Sequence, residues 1–303
     1  MIEDKYMDNV YEHMIKVNKG WSKDDKFLVT YQSQIYFLRI SRLNEQLRIE
    51  KIFDFMNKVS DLSILICKPI RYMIIEHHVH ALYQYIYGSD LIDILQSYTK
   101  EEQYLLGIKS GEYLKKIHAI TTYEHSDVWA TKFNRKIDDK MKKYRDSHLQ
   151  VPEMELFINY INKHRELLLN RPQCIQHGDY HVGNFMVDQF KNLIIVDFEK
   201  LDIGDPWEEF NRIVWSAQQS HEFASGMLDG YFQNEIPEHF WKLLLIYISN
   251  NTISSLPWAL SFSKEEYQIV LNQMHEILDW YDNLNSVVPK WYIKNHITEN
   301  KTI

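Results

Sequence analysis

The sequence predicts an α+β fold with a small, strand-rich N-terminal lobe and a larger, mostly helical C-terminal lobe. Three observations lead to this prediction. Segments rich in β-branched and aromatic residues, which are typical of strands, are concentrated before Gly88. After Gly88 the chain changes to longer segments with recognisable helix-start signals. One β-like insert, between residues 174 and 197, interrupts the helical part.

The N-terminal lobe is assigned to residues 1–87, with a hinge near residues 84–88. Its predicted strands are residues 27–30, 35–40, 72–75 and 81–86. Between the second and third of these strands, residues 45–59 place apolar side chains at helical spacing. This spacing predicts one helix with a buried stripe.

The C-terminal lobe is assigned to residues 88–303. Its helix starts are marked by capping pairs or by a proline in the first turn, namely Thr99 with Glu102, Val151-Pro152, Asp205-Pro206, and Ser263 with Glu266. The insert reads as short strands at residues 174–176, 185–187 and 193–197. Asp197 is expected to end the last of these strands.

The composition is that of an ordinary globular protein, since 45% of the 303 residues are hydrophobic and 25% are charged. No uncharged apolar run approaches about twenty residues, so no membrane partner is expected. The N-terminal segment lacks the pattern of a signal peptide, and a cytoplasmic location is therefore expected. In that compartment Cys67 and Cys174, each in an apolar run, are expected to be buried and reduced. A monomer or a weak homodimer is the expected state.

The net charge of −8 is localised in one part of the sequence. Between Asp197 and Glu238, ten acidic residues stand against two basic ones, Lys200 and Arg212, and this window carries the whole acidic excess. Such a surface concentrates cations and repels nucleic acid, so nucleic acid is not an expected partner. Some of these acids are expected only to complement helix N-termini.

The residues that carry chemistry are concentrated in the loop from His177 to Asn184. Phosphoryl transfer needs a carboxylate to orient and deprotonate the attacking hydroxyl, oxygen ligands for Mg²⁺, and positive charge near the migrating group. Asp179 can serve as that carboxylate. Asn184 and, after the next strand, Asp197 can supply oxygen ligands of the hard type that Mg²⁺ prefers.

Three motifs occur in a fixed order. His177-Gly178-Asp179 is followed after four residues by Asn184, then by Val196-Asp197-Phe198, then by Gly204-Asp205-Pro206. This order resembles the aminoglycoside phosphotransferase and choline kinase family, which has a protein-kinase-like bilobal fold, and the similarity is clearest over residues 172–215. The resemblance implies a kinase that uses Mg²⁺ and ATP or GTP, with Asp179 as catalytic base and with Asn184 and Asp197 as metal ligands.

The resemblance also implies a phosphate-binding cation in the N-terminal lobe. Arg39 stands on the third strand, where kinase-like enzymes place a lysine that holds the α- and β-phosphates. Arginine binds phosphate but is not an equivalent substitute for lysine. Its acidic partner is expected to be Glu50, with Asp54, one helical turn later, as the alternative.

The remaining nucleotide contacts follow from the same resemblance. Residues 20–26 are similar to the family's nucleotide-positioning loop and contribute Ser22. Gln84 and Ile86 fall where the hinge binds the purine through its backbone. Tyr83 would lie at the back of the purine pocket, where a bulky side chain is expected to favour GTP over ATP.

The acceptor is expected to be a cationic small molecule, an aminoglycoside-like antibiotic, and the protein would then act in antibiotic resistance. Six acids of the acidic window have no evident structural role in the sequence, namely Glu199, Asp202, Glu222, Asp229, Glu235 and Glu238. A polyamine needs a carboxylate or carbonyl partner for each ammonium group that loses water. Asp202 and Glu235 are predicted to be such partners.

Three alternatives stay open. A metabolic kinase for choline, another amino alcohol or a sugar would carry the same motifs. A nucleotide-binding pseudokinase is suggested by Arg39 in place of lysine, although a binding-only protein has no need of a base such as Asp179. A zinc hydrolase using His177 and His181 is disfavoured, because structural zinc sites have about four ligands and no HExxH motif is present. His177 is instead expected to support the loop by hydrogen bonding.

Overall fold

The computed structural model describes residues 10–18, 24–121 and 128–294. The chain divides into two compact units, the first comprising Met1–Leu91 and Asn184–Glu199, the second Ile92–Gly183 and Lys200–Ile303. Strands predominate in the first unit and helices in the second, which confirms the predicted α+β class. The segment Asn184–Glu199, which the sequence analysis grouped with the helical lobe, clusters with the first unit. The lobe boundary at residue 88 and its hinge stay predictions.

In chain order the strands are β1 (Glu12–Lys16), β2 (Asp25–Tyr31), β3 (Gln34–Arg42), β4 (Pro69–Ile75), β5 (His78–Gln84), β6 (Gly88–Asp90), β7 (Cys174–Gln176), β8 (Phe185–Asp188), β9 (Leu193–Ile195) and β10 (Asp202–Gly204). The strands predicted before residue 88 are present as β2 to β5, and the last of them ends at Gln84 rather than at Ile86. Strand β1 was not predicted, because its side chains are mostly polar and exposed.

An antiparallel sheet in the order β1-β2-β3-β5-β4 forms the body of the first unit. In the pairing of β3 with β5, Leu38 lies opposite Leu82, and both side chains are fully buried. Val29 and Ile40 belong to the same apolar cluster. Burying one large aliphatic side chain stabilises the fold by about 1.5–3 kcal/mol, so this cluster fixes the register of β3. Neighbours on a strand point to opposite faces, and Arg39 therefore points away from the cluster.

In chain order the helices are α1 (Gln46–Asp61), α2 (Leu91–Ile94), α3 (Lys100–His118), α4 (Trp129–Asp146), α5 (Met154–His164), α6 (Ile213–Gln219), α7 (His221–Phe232), α8 (Glu238–Leu260) and α9 (Lys264–Trp280). The helix predicted at residues 45–59 is α1, whose buried stripe includes Ile52, Phe55, Met56 and Val59. The buried side is the side that the apolar spacing predicts, except that Leu47, which the spacing includes, is 73% exposed.

The predicted helix starts differ in how closely the structure follows them. The Thr99 hydroxyl accepts a hydrogen bond from the Glu102 amide, and the Glu102 carboxylate accepts one from the Thr99 amide, which confirms the capping box of α3. The Ser263 hydroxyl likewise accepts a hydrogen bond from the Glu266 amide and so caps α9. After Asp205-Pro206 the chain first forms the 3₁₀ turn Glu208–Arg212 and only then enters α6.

The β-like insert is divided between two small sheets. Strand β8 pairs with β9, with Phe185 opposite Ile195, and β6 pairs with the other edge of β8. Strand β7 pairs instead with β10, a strand that was not predicted. The β8-β9 hairpin therefore belongs to the first unit, and β7 with β10 belongs to the second.

Helices α3 and α7 pack closely within the second unit. A Cβ atom at Gly111 of α3 would lie 2.1 Å from the carbonyl oxygen of Met227 in α7, so the spacing between these helices requires glycine there. Leu114, Ile117 and Phe223 are fully buried between elements of this unit. Among the described residues, no helix combines the length and the apolar character that crossing a bilayer requires.

Both cysteines carry free thiols. Cys174 is buried, as predicted, whereas Cys67 is only half-buried as a residue. Burial raises the pKa of the Cys67 thiol to about 12 and also raises the pKa of Cys174 above its usual range. Both thiols are therefore protonated near neutral pH.

Candidate active site

The loop that follows β7 begins the candidate site in the second unit. Gly178 has a φ of 83°, in the left-handed region, and a Cβ atom there would lie 1.8 Å from the carbonyl oxygen of Lys200. The position therefore requires glycine. The Gly178 amide donates a hydrogen bond to Glu209 Oε1 over 2.9 Å. These constraints fix the direction in which the chain presents the next residue, Asp179.

Three basic side chains surround the Asp179 carboxylate. Lys200 Nζ donates to Oδ2 over 2.9 Å, and Arg212 Nη1 donates to Oδ1. His181 Nε2 lies 3.4 Å from Oδ1. Burial by itself raises the pKa of this carboxyl, but the hydrogen bond with His181 and the charge of Arg212 outweigh burial, with a smaller contribution from Lys200. The pKa of Asp179 consequently lies below its usual range, and the group is ionised at neutral pH.

Sequence reasoning missed Lys200 and Arg212 as neighbours of Asp179. They are the two basic residues of the acidic window between Asp197 and Glu238, and this isolation is a signal that could have found them. The Lys200 side chain is 55% exposed and that of Arg212 is 21% exposed. Lys200 is therefore the partner that can more easily turn away from the carboxylate.

Trp215 of α6 supports two of these contacts. The Arg212 guanidinium lies 5.2 Å from the centre of the Trp215 ring, and the His181 ring lies 4.8 Å from it. Trp215 Nε1 donates to Gln273 Oε1 over 3.0 Å, which ties the indole to α9. His181, which the sequence analysis named only in the zinc-hydrolase alternative, thus contacts both Trp215 and Asp179.

Buried side chains also support the loop. His177 is fully buried, and its Nδ1 lies 3.3 Å from the Asp179 amide, which donates to it. Glu209, whose Oε1 accepts from the Gly178 amide, has its Oε2 3.5 Å from His118 Nε2. The supporting contact expected of His177 is therefore present.

Asp205, at the turn after β10, is the centre of a buried ion-pair network. Arg171 donates to both of its carboxylate oxygens, over 2.6 and 3.0 Å, and the Tyr247 hydroxyl donates over 2.6 Å. The Trp207 amide donates to the same carboxylate over 2.9 Å, as a helix cap would. Gln176 of β7 donates to the Asp205 carbonyl oxygen over 2.8 Å. The network thereby holds the strand from which the Asp179 loop departs.

In the first unit, the β8-β9 hairpin brings Asn184 and Asp197 to the same end. Phe185 is paired with Ile195, and the Val196 amide donates to the Asn184 carbonyl oxygen over 3.0 Å. The expectation that Asp197 ends a strand is wrong, because β9 ends at Ile195. Asp197 follows two residues later with a φ of 61°, a left-handed conformation that a strand cannot accommodate.

The donor set at this end of the hairpin fits Mg²⁺. Asn184 offers an amide oxygen and Asp197 a carboxylate that is 43% exposed. Mg²⁺ prefers oxygen ligands and is usually held by one or two carboxylates together with substrate phosphates and water. In the part of the chain that the structure describes, no group of three or more His, Cys, Asp or Glu is arranged to hold a metal ion.

Arg39 lies at the centre of an ion cluster in the first unit. Its Nη2 is 3.0 Å from Asp24 Oδ2, and its Nη1 is 3.2 Å from Asp197 Oδ1 and 3.4 Å from Glu199 Oε1. Burial lowers the pKa of this guanidinium, but the charges of Glu199 and Asp197 outweigh burial and raise the pKa above its usual value. Arg39 is therefore a permanent cation.

The predicted pairing of Arg39 with Glu50 is corrected by the structure. Glu50 Oε1 accepts hydrogen bonds from Gln46 Nε2 over 2.8 Å and from the Tyr72 hydroxyl over 2.9 Å. Its carboxylate is thus directed along α1 and toward β4, while Arg39 pairs with acids from outside the helix. Sequence reasoning missed all three acids that pair with Arg39, and one of them, Glu199, follows Asp197 by two residues.

The residues predicted to contact the purine lie in and after β5. Tyr83 is buried, and its hydroxyl donates to Glu199 Oε1 over 3.4 Å. The Gln84 amide donates to the Lys68 carbonyl oxygen over 2.8 Å, so a purine contact would have to use the Gln84 carbonyl. Ile86 lies between β5 and β6. Ser22 lies outside the described residues. The nucleotide-binding roles stay predictions.

The structure gives partners to most of the six acids that seemed spare in the sequence. Protein side chains contact five of them: Glu199 with Arg39 and Arg48, Asp202 with Lys132, Glu222 with Lys100, Asp229 with Tyr104 and Tyr292, and Glu238 with Lys242. Glu235 is exposed, and among the described residues it alone of the six has no side-chain partner. The premise that all six lack a structural role is therefore wrong, and the acceptor contacts of Asp202 and Glu235 stay predictions.

Comparisons with known proteins bear on the fold and the family of the chain. No curated protein sequence matches the chain. Among solved structures, a thermostable mutant of aminoglycoside phosphotransferase APH(4)-Ia with ADP and hygromycin B is similar at a TM-score of 0.67 and 11% identity, covering 92% of this chain and 98% of that chain. The gentamicin complex of APH(2″)-IIa is similar at a TM-score of 0.62 and 16% identity, covering 90% of this chain and 94% of that chain. The streptomycin–ATP complex of APH(2″)-IIa is similar at a TM-score of 0.63 and 16% identity, covering 89% of this chain and 94% of that chain.

These likenesses confirm the expected protein-kinase-like fold. The sequence profile of APH, the phosphotransferase enzyme family, matches residues 13–241, which is well over half of the chain. The motifs around Asp179, Asn184 and Asp197 all lie within the matched residues. The chain therefore belongs to the phosphotransferase enzyme family and is a phosphotransferase.

Proposed function

We propose that the protein transfers the terminal phosphoryl group of ATP or GTP, bound with Mg²⁺, to a hydroxyl group of a cationic small molecule, an aminoglycoside-like antibiotic. The observation that carries this proposal is the ionised Asp179 carboxylate in contact with Lys200, Arg212 and His181. Phosphoryl transfer requires a carboxylate that orients the attacking hydroxyl and positive charge close to the migrating group. Asp179 supplies the carboxylate, and Lys200 and Arg212 supply the charge.

Asp179 is assigned the role of orienting the hydroxyl and accepting its proton. Because the pKa of Asp179 lies below its usual range, the carboxylate is a weak base. In a loose transition state the phosphoryl group is already leaving its donor, so little basicity is needed. Correct orientation of the hydroxyl is then the main contribution, and such a group typically contributes about 10²–10⁴-fold.

Lys200 and Arg212 are assigned different roles. When the acceptor hydroxyl approaches Asp179, one of the two cations has to give up its carboxylate oxygen. Lys200, the more exposed of the two, is the one expected to turn. Its ammonium group would then lie beside the oxygens of the migrating phosphoryl group. Arg212, held against Trp215, would keep the Asp179 carboxylate in place.

The first unit is assigned the nucleotide. Asn184 and Asp197 would hold Mg²⁺, which when bound neutralises charge on the nucleotide phosphates. Arg39 would bind the phosphates, for which the planar guanidinium is well suited. Tyr83, Gln84 and residues near Ile86 would contact the purine.

A cationic acceptor is supported by charge and by the ligands of similar proteins. The acidic window carries the whole acidic excess of the chain. Three of the structural neighbours are complexes with hygromycin B, gentamicin and streptomycin. Asp202 and Glu235 are proposed to contact ammonium groups of the acceptor. Choline, another amino alcohol or a sugar is the alternative acceptor class.

The test is turnover of ATP and of GTP with a panel of aminoglycosides, macrolides, choline and simple sugars. At least one aminoglycoside is expected to be phosphorylated, with a KM that rises steeply with salt, because exposed charge pairs are screened. Glu235→Gln should raise that KM by about threefold, the value of one exposed ion pair. Glu153→Gln, which changes an exposed acid outside the window, should not.

Each other outcome contradicts a specific part of the proposal. Turnover of choline, sugars or neutral macrolides, with no aminoglycoside bound or phosphorylated, would show that the acceptor class is wrong. Tight nucleotide binding with no phosphorylated product, in every combination, would instead favour a pseudokinase.

A further inference from the structure

Glu199 contacts three side chains of the first unit. Its Oε2 accepts a hydrogen bond from Arg48 Nη1 over 2.5 Å, and its Oε1 lies 3.4 Å from Arg39 Nη1. The Tyr83 hydroxyl donates to Oε1 over 3.4 Å. We call this arrangement of Glu199, Arg39, Arg48 and Tyr83 the Glu199 bridge. Both carboxylate oxygens are engaged, so the orientation of the Glu199 side chain is fixed.

The Glu199 bridge joins α1 to β3. Arg48, on α1, also donates to Glu45 Oε2 over 2.7 Å and to the Glu199 carbonyl oxygen over 3.2 Å. Arg39 is on β3. The resemblance to kinase-like enzymes predicts an acid on the helix and a cation on the strand. Here helix and strand each contribute a cation, and the acid between them comes from the segment after Asp197.

We propose that Glu199 is the positioning residue that holds Arg39 in the orientation that binds nucleotide phosphates, and that Arg48 acts through Glu199. The inference rests on the proposed phosphate binding by Arg39. A long arginine side chain loses rotamer freedom when it binds a phosphate. Contacts that fix the side chain beforehand reduce this loss on binding. With side-chain exposures of 8% for Arg39 and 14% for Glu199, the contact is also largely shielded from water.

Because Glu199 is negatively charged, the sign of the change in triphosphate affinity on its neutralisation distinguishes two possible roles. A carboxylate near a bound triphosphate repels it, so neutralising an acid that acts only through its charge would tighten triphosphate binding. Neutralising an acid that positions Arg39 would weaken triphosphate binding, since the guanidinium would then be held only by its ion pairs with Asp24 and Asp197. The two roles of Glu199 predict effects of opposite sign.

The experiment measures dissociation constants of ATP, GTP, adenosine and guanosine for the full chain by calorimetry, with and without Mg²⁺. Glu199→Gln is expected to weaken binding of the preferred triphosphate about tenfold, the typical effect of losing a charged hydrogen bond. Its nucleoside affinity should stay within about twofold, because the Glu199 bridge orients Arg39 and a nucleoside has no phosphate for Arg39 to bind. Glu45→Gln removes the other acidic partner of Arg48 and is the matched control, with both affinities unchanged. Unchanged or tighter triphosphate binding by Glu199→Gln overturns the inference. A roughly tenfold loss of triphosphate affinity in Glu50→Gln overturns it as well.

Arg48→Gln tests the helix end of the bridge without touching Arg39, and the 37% exposure of this side chain makes the change tolerable. Triphosphate binding should weaken about threefold, and Arg48→Gln should add no further loss to Glu199→Gln, because both break the same link. Unchanged triphosphate binding by Arg48→Gln overturns the route through Glu199, and this test remains available if Glu199→Gln does not fold. Additive losses of affinity in the double variant overturn it as well. A wild-type protein that binds neither triphosphate overturns the proposed function itself. Variants that match a nucleotide-binding wild type overturn only the inference.

Discussion

Arg39 Nη1 lies 3.2 Å from Asp197 Oδ1 in the first unit. The cation predicted to bind phosphate and the carboxylate predicted to bind Mg²⁺ are therefore each other's counter-ion. The Asp197 side chain is 43% exposed, whereas that of Arg39 is 8% exposed. An entering cation would thus meet Asp197 first and share it with Arg39. Under the proposed roles, metal binding and phosphate binding would therefore be coupled in this unit.

Asp197→Asn is expected to abolish Mg²⁺-dependent turnover and to loosen nucleotide binding, because it removes the anionic ligand while it keeps the side-chain size. Turnover titrated against magnesium chloride measures the effect. Glu76→Gln, at an exposed position of the turn between β4 and β5, is the control. An unchanged magnesium dependence in Asp197→Asn would place the metal elsewhere.

Asp179→Ala is expected to lower kcat by about two to four orders of magnitude, as for loss of a catalytic acid–base group. Nucleotide binding should persist, because its proposed residues lie in the other unit. Steady-state kinetics and a nucleotide titration on the same preparation separate the two effects. Asp146→Asn, at an exposed end of α4, is the control. A near-native kcat would rule out Asp179 as the catalytic base.

The lowered pKa of Asp179 predicts where its stabilising ion pairs are lost. The folded-state pKa lies below the unfolded value of about 3.9, so the native state binds fewer acid protons than the unfolded chain. Stability from this group is present above the unfolded pKa and is lost as the pH falls toward the folded pKa. Urea unfolding of wild type and Asp179→Asn should therefore differ more at pH 7 than at about pH 2, below the unfolded pKa. A difference that grows on acidification would contradict this assignment.

Two substitutions of Tyr83 separate bulk from hydroxyl in the choice of nucleotide. If bulk at this position favours GTP, Tyr83→Met should admit ATP more readily, and Tyr83→Phe should keep the GTP preference. The hydroxyl donates to Glu199 Oε1, and Tyr83→Phe removes that hydrogen bond while it keeps the bulk of the side chain. Competition between ATP and GTP measures the preference. A wild-type protein that binds ATP more tightly than GTP would remove the argument.

Arg171→Leu is expected to destabilise the fold by about 3 kcal/mol or more, because it leaves the fully buried Asp205 carboxylate without its charged partner. Arg165→Gln breaks the more exposed pair with Asp138 and should cost about 1 kcal/mol at most. Urea denaturation of both variants gives the comparison. A loss in Arg171→Leu no larger than that in Arg165→Gln would mean that the Tyr247 hydroxyl is sufficient for Asp205.

Local signals explain what could be read from the sequence. The Thr99 capping box involves residues three apart, and a pattern of that length can be recognised without knowledge of the fold. The pairing of Arg39 with Asp197 could not be read in this way, because the two residues are separated by 158 positions. Strand β10 was missed for a similar reason. Its three residues, beginning at Asp202, become a strand only by pairing with β7.

The state of the two thiols has a practical consequence for spectroscopy. Burial raises the pKa of the Cys67 thiol to about 12 and also raises that of Cys174, so little thiolate is present at either site at neutral pH. Alkylating dyes react with thiolates, so both native cysteines should label slowly. A single cysteine introduced at an exposed site, such as Ile35→Cys on β3, would then carry a fluorophore without prior removal of the native ones.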